Sequence, residues 1–366
     1  MDCPLKEAAR DAPHQIAILP NRITFAELDK YVDQITYIPL IVKGPPSVHV
    51  IALFFAAWRR GLPIFPVNPR LPNVPMSTAS SLLLLTSGST GAPKIAMLSL
   101  SNLIANAMGA IPALDLRPND QWRLTLPLYH VGGIGIIIRC ILARATIVLT
   151  DSPDITHLSC VPTHLYRATP TYKKLRCLLV GGAPIPSYPF PVSTTYGLTE
   201  MSSMVTLNGK VLPGREVRLG EDGEIWVKGP CLFQGYLGEK PQKDWFATGD
   251  LGRFDNGNLH ILGRKDWMFI SGGENIQPEE IERELLALPE VLEAVVVGKE
   301  DPEFGKRPVA VVRAQQPFDL KRMQTALTDR LPKYKIPIAL HIFDEIPKKN
   351  DFKVDRFILS QLINIK

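Results

Sequence analysis

With 366 residues, 45% of them hydrophobic, the chain can build one large domain or two unequal ones around a real core. Its 41 basic and 36 acidic residues leave a net charge of +5 without any basic run, which argues against nucleic-acid binding and suits small anionic ligands. Five scattered cysteines with no CxxC pair exclude a disulfide framework and point to a reducing, cytoplasmic setting.

The first residues, Met1 to Asp11, have no apolar signal core. Thr24 and Glu27 then read as a capping box, and Phe25, Leu28, Val32 and Ile35 repeat at helical spacing behind it. The apolar segment His49 to Trp58 ends in Arg59-Arg60-Gly61 and is followed by a strand-like Pro63 to Val67, an alternation expected of an α/β domain. Another strand, Leu82 to Leu85, runs into a small-residue loop. The most apolar stretch, 131–150, is broken by Arg139 and Arg144, so it is expected to form buried strands or a core helix and no membrane span. Short apolar runs recur at 147–149 and 178–180.

From Glu224 the pattern turns to β, with Glu224 to Lys228 and a hairpin at Asn256-Gly257. A compact tail follows. Pro278 suits the first turn of a helix that carries Ile281, Leu285 and Leu288 on one face. Strands are expected at 291–297, 309–312 and 339–343, with a second amphipathic helix marked by Leu320, Met323, Leu327 and Leu331. The expected fold is α/β: a large N-terminal domain over 1–263, a hinge at 264–266 and a small, mobile α+β domain over 267–366.

The segment with the clearest chemistry is Thr86, Ser87, Gly88, Ser89, Thr90, Gly91, Ala92, Pro93, Lys94. Glycines and small hydroxyl residues let backbone N–H groups approach an oxyanion, and Lys94 adds charge. The spacing differs from that of a P-loop. No His/Cys cluster has the spacing of a metal site, and histidines such as His157, His164 and His341 read as structural.

This nonapeptide resembles the phosphate-binding loop of the adenylate-forming (acyl-CoA synthetase/AMP-binding) superfamily. Further motifs of that family follow in order: Leu126-Pro-Leu-Tyr-His130, Val180-Gly181-Gly-Ala-Pro184, Tyr196-Gly197-Leu-Thr199-Glu200, Gly223 to Gly229, Trp245 to Asp250, and Gly263-Arg264-Lys-Asp266 before Ser271-Gly-Gly-Glu274. The resemblance implies an ATP-dependent ligase that joins a small-molecule carboxylic acid first to AMP and then to coenzyme A. It places Gly181, Tyr196 and Gly197 in the nucleotide site, Thr199 at the α-phosphate, and Glu200 on Mg²⁺, a hard ion suited to carboxylate and phosphate oxygens. Asp250 would accept from the ribose hydroxyls, Arg264 would meet ribose and phosphate oxygens, and His130 would line the acyl pocket. Lys353 matches the catalytic lysine of the last motif, although Phe352 stands where the family has glycine. Asp266 matches the hinge residue. A homo-oligomer is left open.

Five segments, at 67–72, 161–167, 212–217, 272–281 and 303–310, resemble the o-succinylbenzoate–CoA ligase family of menaquinone synthesis. That likeness implies an acid with one carboxylate to activate and another to recognise. Arg139 and Arg167 are set in apolar segments, and one of them is a candidate partner for the second; both read equally well as surface residues. Another acyl- or aryl-CoA ligase, a carrier-loading adenylation enzyme and an inactive scaffold remain alternatives. The stretches 73–85 and 184–194 are compressed relative to the family.

Overall fold

The computed structural model describes residues 3–68, 82–86, 94–161, 172–181, 191–315, 317–349 and 353–364, with Lys349, Lys353 and Asn364 given by their backbone alone. Thr24 caps the helix Phe25–Gln34 as expected: the Glu27 N–H donates to its hydroxyl at 3.2 Å and the Thr24 N–H donates back to the Glu27 carboxylate at 2.8 Å. That helix buries Phe25, Leu28 and Val32. Phe25 is fully enclosed, so truncating it to alanine costs about 3–5 kcal/mol. The helix Val48–Arg59 starts at Ser47, whose hydroxyl accepts from the Val50 N–H, and is apolar nearly all round because it lies inside the core. The stretch from Val131 resolves into a buried helix, Val131–Ala143, and a strand, Thr146–Val148. The helix Leu100–Ala110 was not expected; its capping box uses Ser99 and Asn102.

These helices pack on a sheet that is nine-stranded among the described residues. In order across it run Lys210–Val211, Ser203–Leu207, Ser193–Leu198, Cys177–Gly181, His157–Cys160, Gln121–Arg123, Thr146–Val148, Ile16–Leu19 and Ile23–Thr24. The six from Ser193–Leu198 to Ile16–Leu19 are parallel and the flanking strands antiparallel. Ligand sites in such sheets gather at the carboxyl ends of the strands.

Beyond it an antiparallel sheet joins Glu216–Leu219, Glu224–Lys228, Phe246–Asp255 and Asn258–Arg264. Its hairpin turns at Asn256 and Gly257, both at positive φ (48° and 77°), as the Asn-Gly signal requires.

The large apolar core ends at Leu259, with Ile261 against its edge. A separate core begins at Phe269 and Ile276. There the strands Val291–Asp301 and Gly305–Ala314 form a long antiparallel pair, joined by Ala339–Ile342. Their side chains alternate. Val296, Ala310 and Val312 pack against the helices Pro278–Leu286 and Leu320–Thr328, while Val295, Val297, Val309 and Val311 face Leu359 and Ile363 of the helix Arg356–Asn364. Pro278 occupies the first turn of its helix. No helix among the described residues is long and apolar enough to cross a membrane.

Candidate active site

Three motifs that lie far apart in sequence meet at one point. Asp250 and Arg264 are backbone partners on adjacent antiparallel strands, and the Arg264 Nη1 donates to Asp250 Oδ1 at 2.9 Å. The Tyr196 hydroxyl donates to Asp250 Oδ2 at 2.7 Å. Arg264 also donates to the Thr248 carbonyl at 2.9 Å and to Asp266 at 3.2 Å. Burial, and then the Asp250 charge, push the Tyr196 phenol well above its usual range, so it stays a hydrogen-bond donor. Burial works against the Arg264 charge, but Asp250 and Asp266 outweigh it and raise its pKa. The Asp250 side chain is thus held in place by a phenol and a guanidinium, one on each carboxyl oxygen.

The backbone here leaves no space for side chains at two glycines. A Cβ on Gly197 would lie 2.2 Å from the Ser203 carbonyl, and one on Gly181 would lie 2.8 Å from the Thr195 carbonyl. Close strand approach thus explains both positions. Thr199 and Glu200 follow in a short 3-10 turn, Thr199–Met201. Ser202 and Ser203 close it at φ of 57° and 120°. The turn is pinned by the Phe233 N–H on the Glu200 carbonyl at 2.7 Å and the Ser202 hydroxyl on the Cys231 carbonyl at 2.8 Å.

Glu200 is 9% exposed, and its Oε1 accepts from the Tyr236 hydroxyl at 2.7 Å. A buried carboxylate of this kind fits a hard dication that brings phosphate and water oxygens with it. Among the described residues no group of three His, Cys, Asp or Glu side chains is gathered as a transition-metal site would need.

Lys94 and Thr86 face each other as partners on the strands that flank the small-residue loop, and the Thr86 hydroxyl donates to the Lys94 carbonyl at 3.3 Å. Lys94 Nζ lies 2.9 Å from Glu239 and 4.7 Å from the Tyr236 ring centroid. Ser87, Gly88, Ser89, Thr90 and Gly91 lie outside the described residues. His130 stands at the N-cap of Val131–Ala143, half-buried, its ring tilted against Tyr129 at 4.8 Å. Lys353 starts a short strand that pairs with Lys349.

Arg139 corrects an expectation. It is 2% exposed and its guanidinium donates to Asn106 and Ser203 at 3.2 and 3.1 Å, so it is a brace inside the core. Arg167 lies outside the described residues. His157 is structural as expected, fully buried between Leu114 and Thr156. All five cysteines are free, and all but Cys3 are buried.

Sequence reading missed Tyr236, which lies 36 positions from Glu200 and has no local signal of its own. It also missed Gln277 and Glu279. Their side chains take the two backbone groups of Arg264 at 3.0 and 2.9 Å, joining the small domain to the end of the last large-domain strand.

Fold and site together define the architecture of an adenylate-forming enzyme. The chain belongs to the AMP-binding enzyme family, whose model matches residues 73–237, with the AMP-binding enzyme C-terminal domain matching residues 280–353. It is 37% identical over 311 residues to the 2-succinylbenzoate–CoA ligase of Salmonella typhimurium, covering 76% of this chain and 68% of that one. It is 35% identical over 329 residues to the enzyme of the same name from Bacillus licheniformis, covering 76% and 69%. Among solved structures, an E. coli MenE variant with bound OSB-AMS superposes with a TM-score of 0.84 at 27% identity, covering 100% of this chain and 99% of that one. Bacillus subtilis o-succinylbenzoate CoA synthetase in complex with the acyl-adenylate intermediate OSB-AMP does so with a TM-score of 0.82 at 25% identity, covering 98% of each.

Proposed function

We propose that this protein is the o-succinylbenzoate–CoA ligase of menaquinone synthesis, using ATP, Mg²⁺ and coenzyme A in the cytoplasm. The meeting of Tyr196, Asp250 and Arg264 from separate motifs carries the nucleotide reading. The likeness to the two bacterial ligases supports the acid.

In the first half-reaction a carboxylate oxygen bonds to the α-phosphorus of ATP as pyrophosphate leaves. Little proton transfer is needed, so catalysis is positioning and charge neutralisation. Asp250 accepts from the ribose hydroxyls, and Arg264 reaches ribose and phosphate oxygens. Thr199 meets the α-phosphate. Lys94 and the loop it closes take the departing pyrophosphate. Glu200 would hold Mg²⁺, which supplies charge neutralisation on the phosphates when bound. His130 lines the acyl pocket, and Lys353 meets the forming carboxylate–phosphate bond. In the second half-reaction the sulfur of CoA bonds to the acyl carbon and AMP leaves, after the 267–366 domain has turned about Asp266.

The deciding experiment measures acid-dependent ATP–pyrophosphate exchange across a panel of acids, then thioester formation with CoA or a pantetheinylated carrier protein. The expected result is exchange and CoA thioester with o-succinylbenzoate. Thioester from benzoate or fatty acids alone would overturn the acid, and no exchange with any acid would overturn the enzyme reading.

A further inference from the structure

Tyr236 touches both groups that would handle the charged end of the nucleotide. Its hydroxyl donates to Glu200 Oε1 at 2.7 Å, and its ring lies beneath Lys94 Nζ at 4.7 Å from the centroid. The backbone makes this juxtaposition firm. The strand Gly235–Tyr236 pairs with Lys94–Leu98, with Tyr236 opposite Ala96, so residues two apart share a face and the ring sits beside Lys94. Three residues earlier, the Phe233 N–H holds the Glu200 carbonyl. Phe233 and Phe246 pack edge-on around the Tyr236 ring at 4.9 and 6.5 Å and restrict its motion.

We propose that Tyr236 is a positioning residue for the adenylation step, orienting the Glu200 carboxylate toward the nucleotide-borne cation and holding the Lys94 ammonium beside it. The inference rests on the roles given above to Glu200 and Lys94. Its physical basis is that a hydrogen bond to one carboxylate oxygen fixes the rotamer and leaves the other oxygen for a metal. Partners of this kind typically account for 10–100-fold in metal affinity or activity.

The test compares Tyr236→Phe, Tyr236→Leu and Glu200→Gln by calorimetric titration of ATP at a series of Mg²⁺ concentrations, with pyrophosphate exchange and thioester formation from supplied acyl-adenylate as kinetic readouts. Tyr236→Phe should need roughly tenfold or more Mg²⁺ for half-maximal ATP binding and exchange. At saturating Mg²⁺ it should recover, and its thioester step should stay within about twofold of wild type. Tyr236→Leu, which also loses the ring, should weaken ATP binding a further two- to fivefold even at saturating Mg²⁺. Should Glu200→Gln shift the Mg²⁺ dependence while Tyr236→Phe does not, the positioning role is overturned. If neither shifts it, the Glu200 assignment itself falls. A lowered melting point in Tyr236→Phe with an unchanged Mg²⁺ profile would make the tyrosine merely structural and would also overturn the proposal.

Discussion

Asp250 and Arg264 sit opposite each other on two antiparallel strands and close a 2.9 Å ion pair, so the backbone register itself sets the carboxylate that the nucleotide would meet. Asp250→Asn keeps the shape but removes the charge that Tyr196 and Arg264 are arranged around. Hydrogen bonds to charged groups are worth about 1.5–3 kcal/mol. The KM for ATP in pyrophosphate exchange should therefore rise roughly ten- to a hundredfold, with a smaller effect on the KM for the acid. An equal rise in both would show that Asp250 serves the fold more than the nucleotide.

Gly197→Ala tests the strand approach beneath the Thr199 and Glu200 turn. The new methyl would lie 2.2 Å from the Ser203 carbonyl and 3.0 Å from the Met204 Cα, and backbone cannot yield as a flexible side chain can. Overpacking of this sort costs about 1–3 kcal/mol. A lowered urea midpoint together with weakened exchange is expected. Full activity at wild-type stability would mean that the strands part without disturbing the site.

Buried His157 sets a pH dependence of stability. Burial favours its neutral form and lowers its pKa, against the pull of the Leu114 carbonyl and Asp120. The unfolded chain therefore binds more protons below about pH 6.5, so the stabilisation present above that value is lost as pH falls toward the lowered folded pKa. Urea midpoints measured from pH 7.5 down to 5 should fall, and His157→Gln should flatten that slope. An unchanged slope in the variant would assign the acid sensitivity elsewhere.

Legibility in the sequence followed the range of the physics. Thr24 with Glu27, Pro278, and Asn256-Gly257 are local rules in which neighbouring residues settle the backbone, and each element formed as expected. Tyr196, Asp250 and Arg264 were legible through resemblance, and the sheets bring them together. For Arg139 the sequence left an acid partner and a surface residue open, and it is a buried brace, because only the fold supplies Asn106 and Ser203 as its partners. The helix Leu100–Ala110 was missed because Asn102 stands where a capping box usually has Glu or Gln. Tyr236 was missed for the opposite reason, since nothing near it in sequence hints at Glu200.

Asp266 lies in the 3-10 turn Lys265–Trp267 between the two apolar cores, tied back to Arg264. If the small domain turns here between the half-reactions, proline at 266, which fixes φ near −65°, should obstruct the rotation. Asp266→Pro should suppress thioester formation far more than pyrophosphate exchange. Equal loss of both activities would place the hinge elsewhere.

Lys353 separates the half-reactions from the other side. Its backbone begins a short strand paired with Lys349, and the neighbouring Ile346 and Val354 pack in the apolar cluster of Val295, Val309 and Leu359. An ammonium brought to the carboxylate as it meets the α-phosphate neutralises charge only during adenylation. Losing such a contact typically costs ~2.7–4 kcal/mol, or roughly a hundred- to a thousandfold in rate. Lys353→Ala should therefore lose most pyrophosphate exchange yet convert supplied acyl-adenylate and CoA to thioester at close to the wild-type rate. Phe352 beside it, in place of the family's glycine, makes a real alternative of Lys348, which pairs with Glu293 at 3.0 Å. If Lys353→Ala keeps exchange within a few-fold of wild type while Lys348→Ala loses it, the adenylation lysine is Lys348. If Lys353→Ala loses both half-reactions together with its cooperative unfolding transition, the side chain supports the small domain's fold and the catalytic assignment fails.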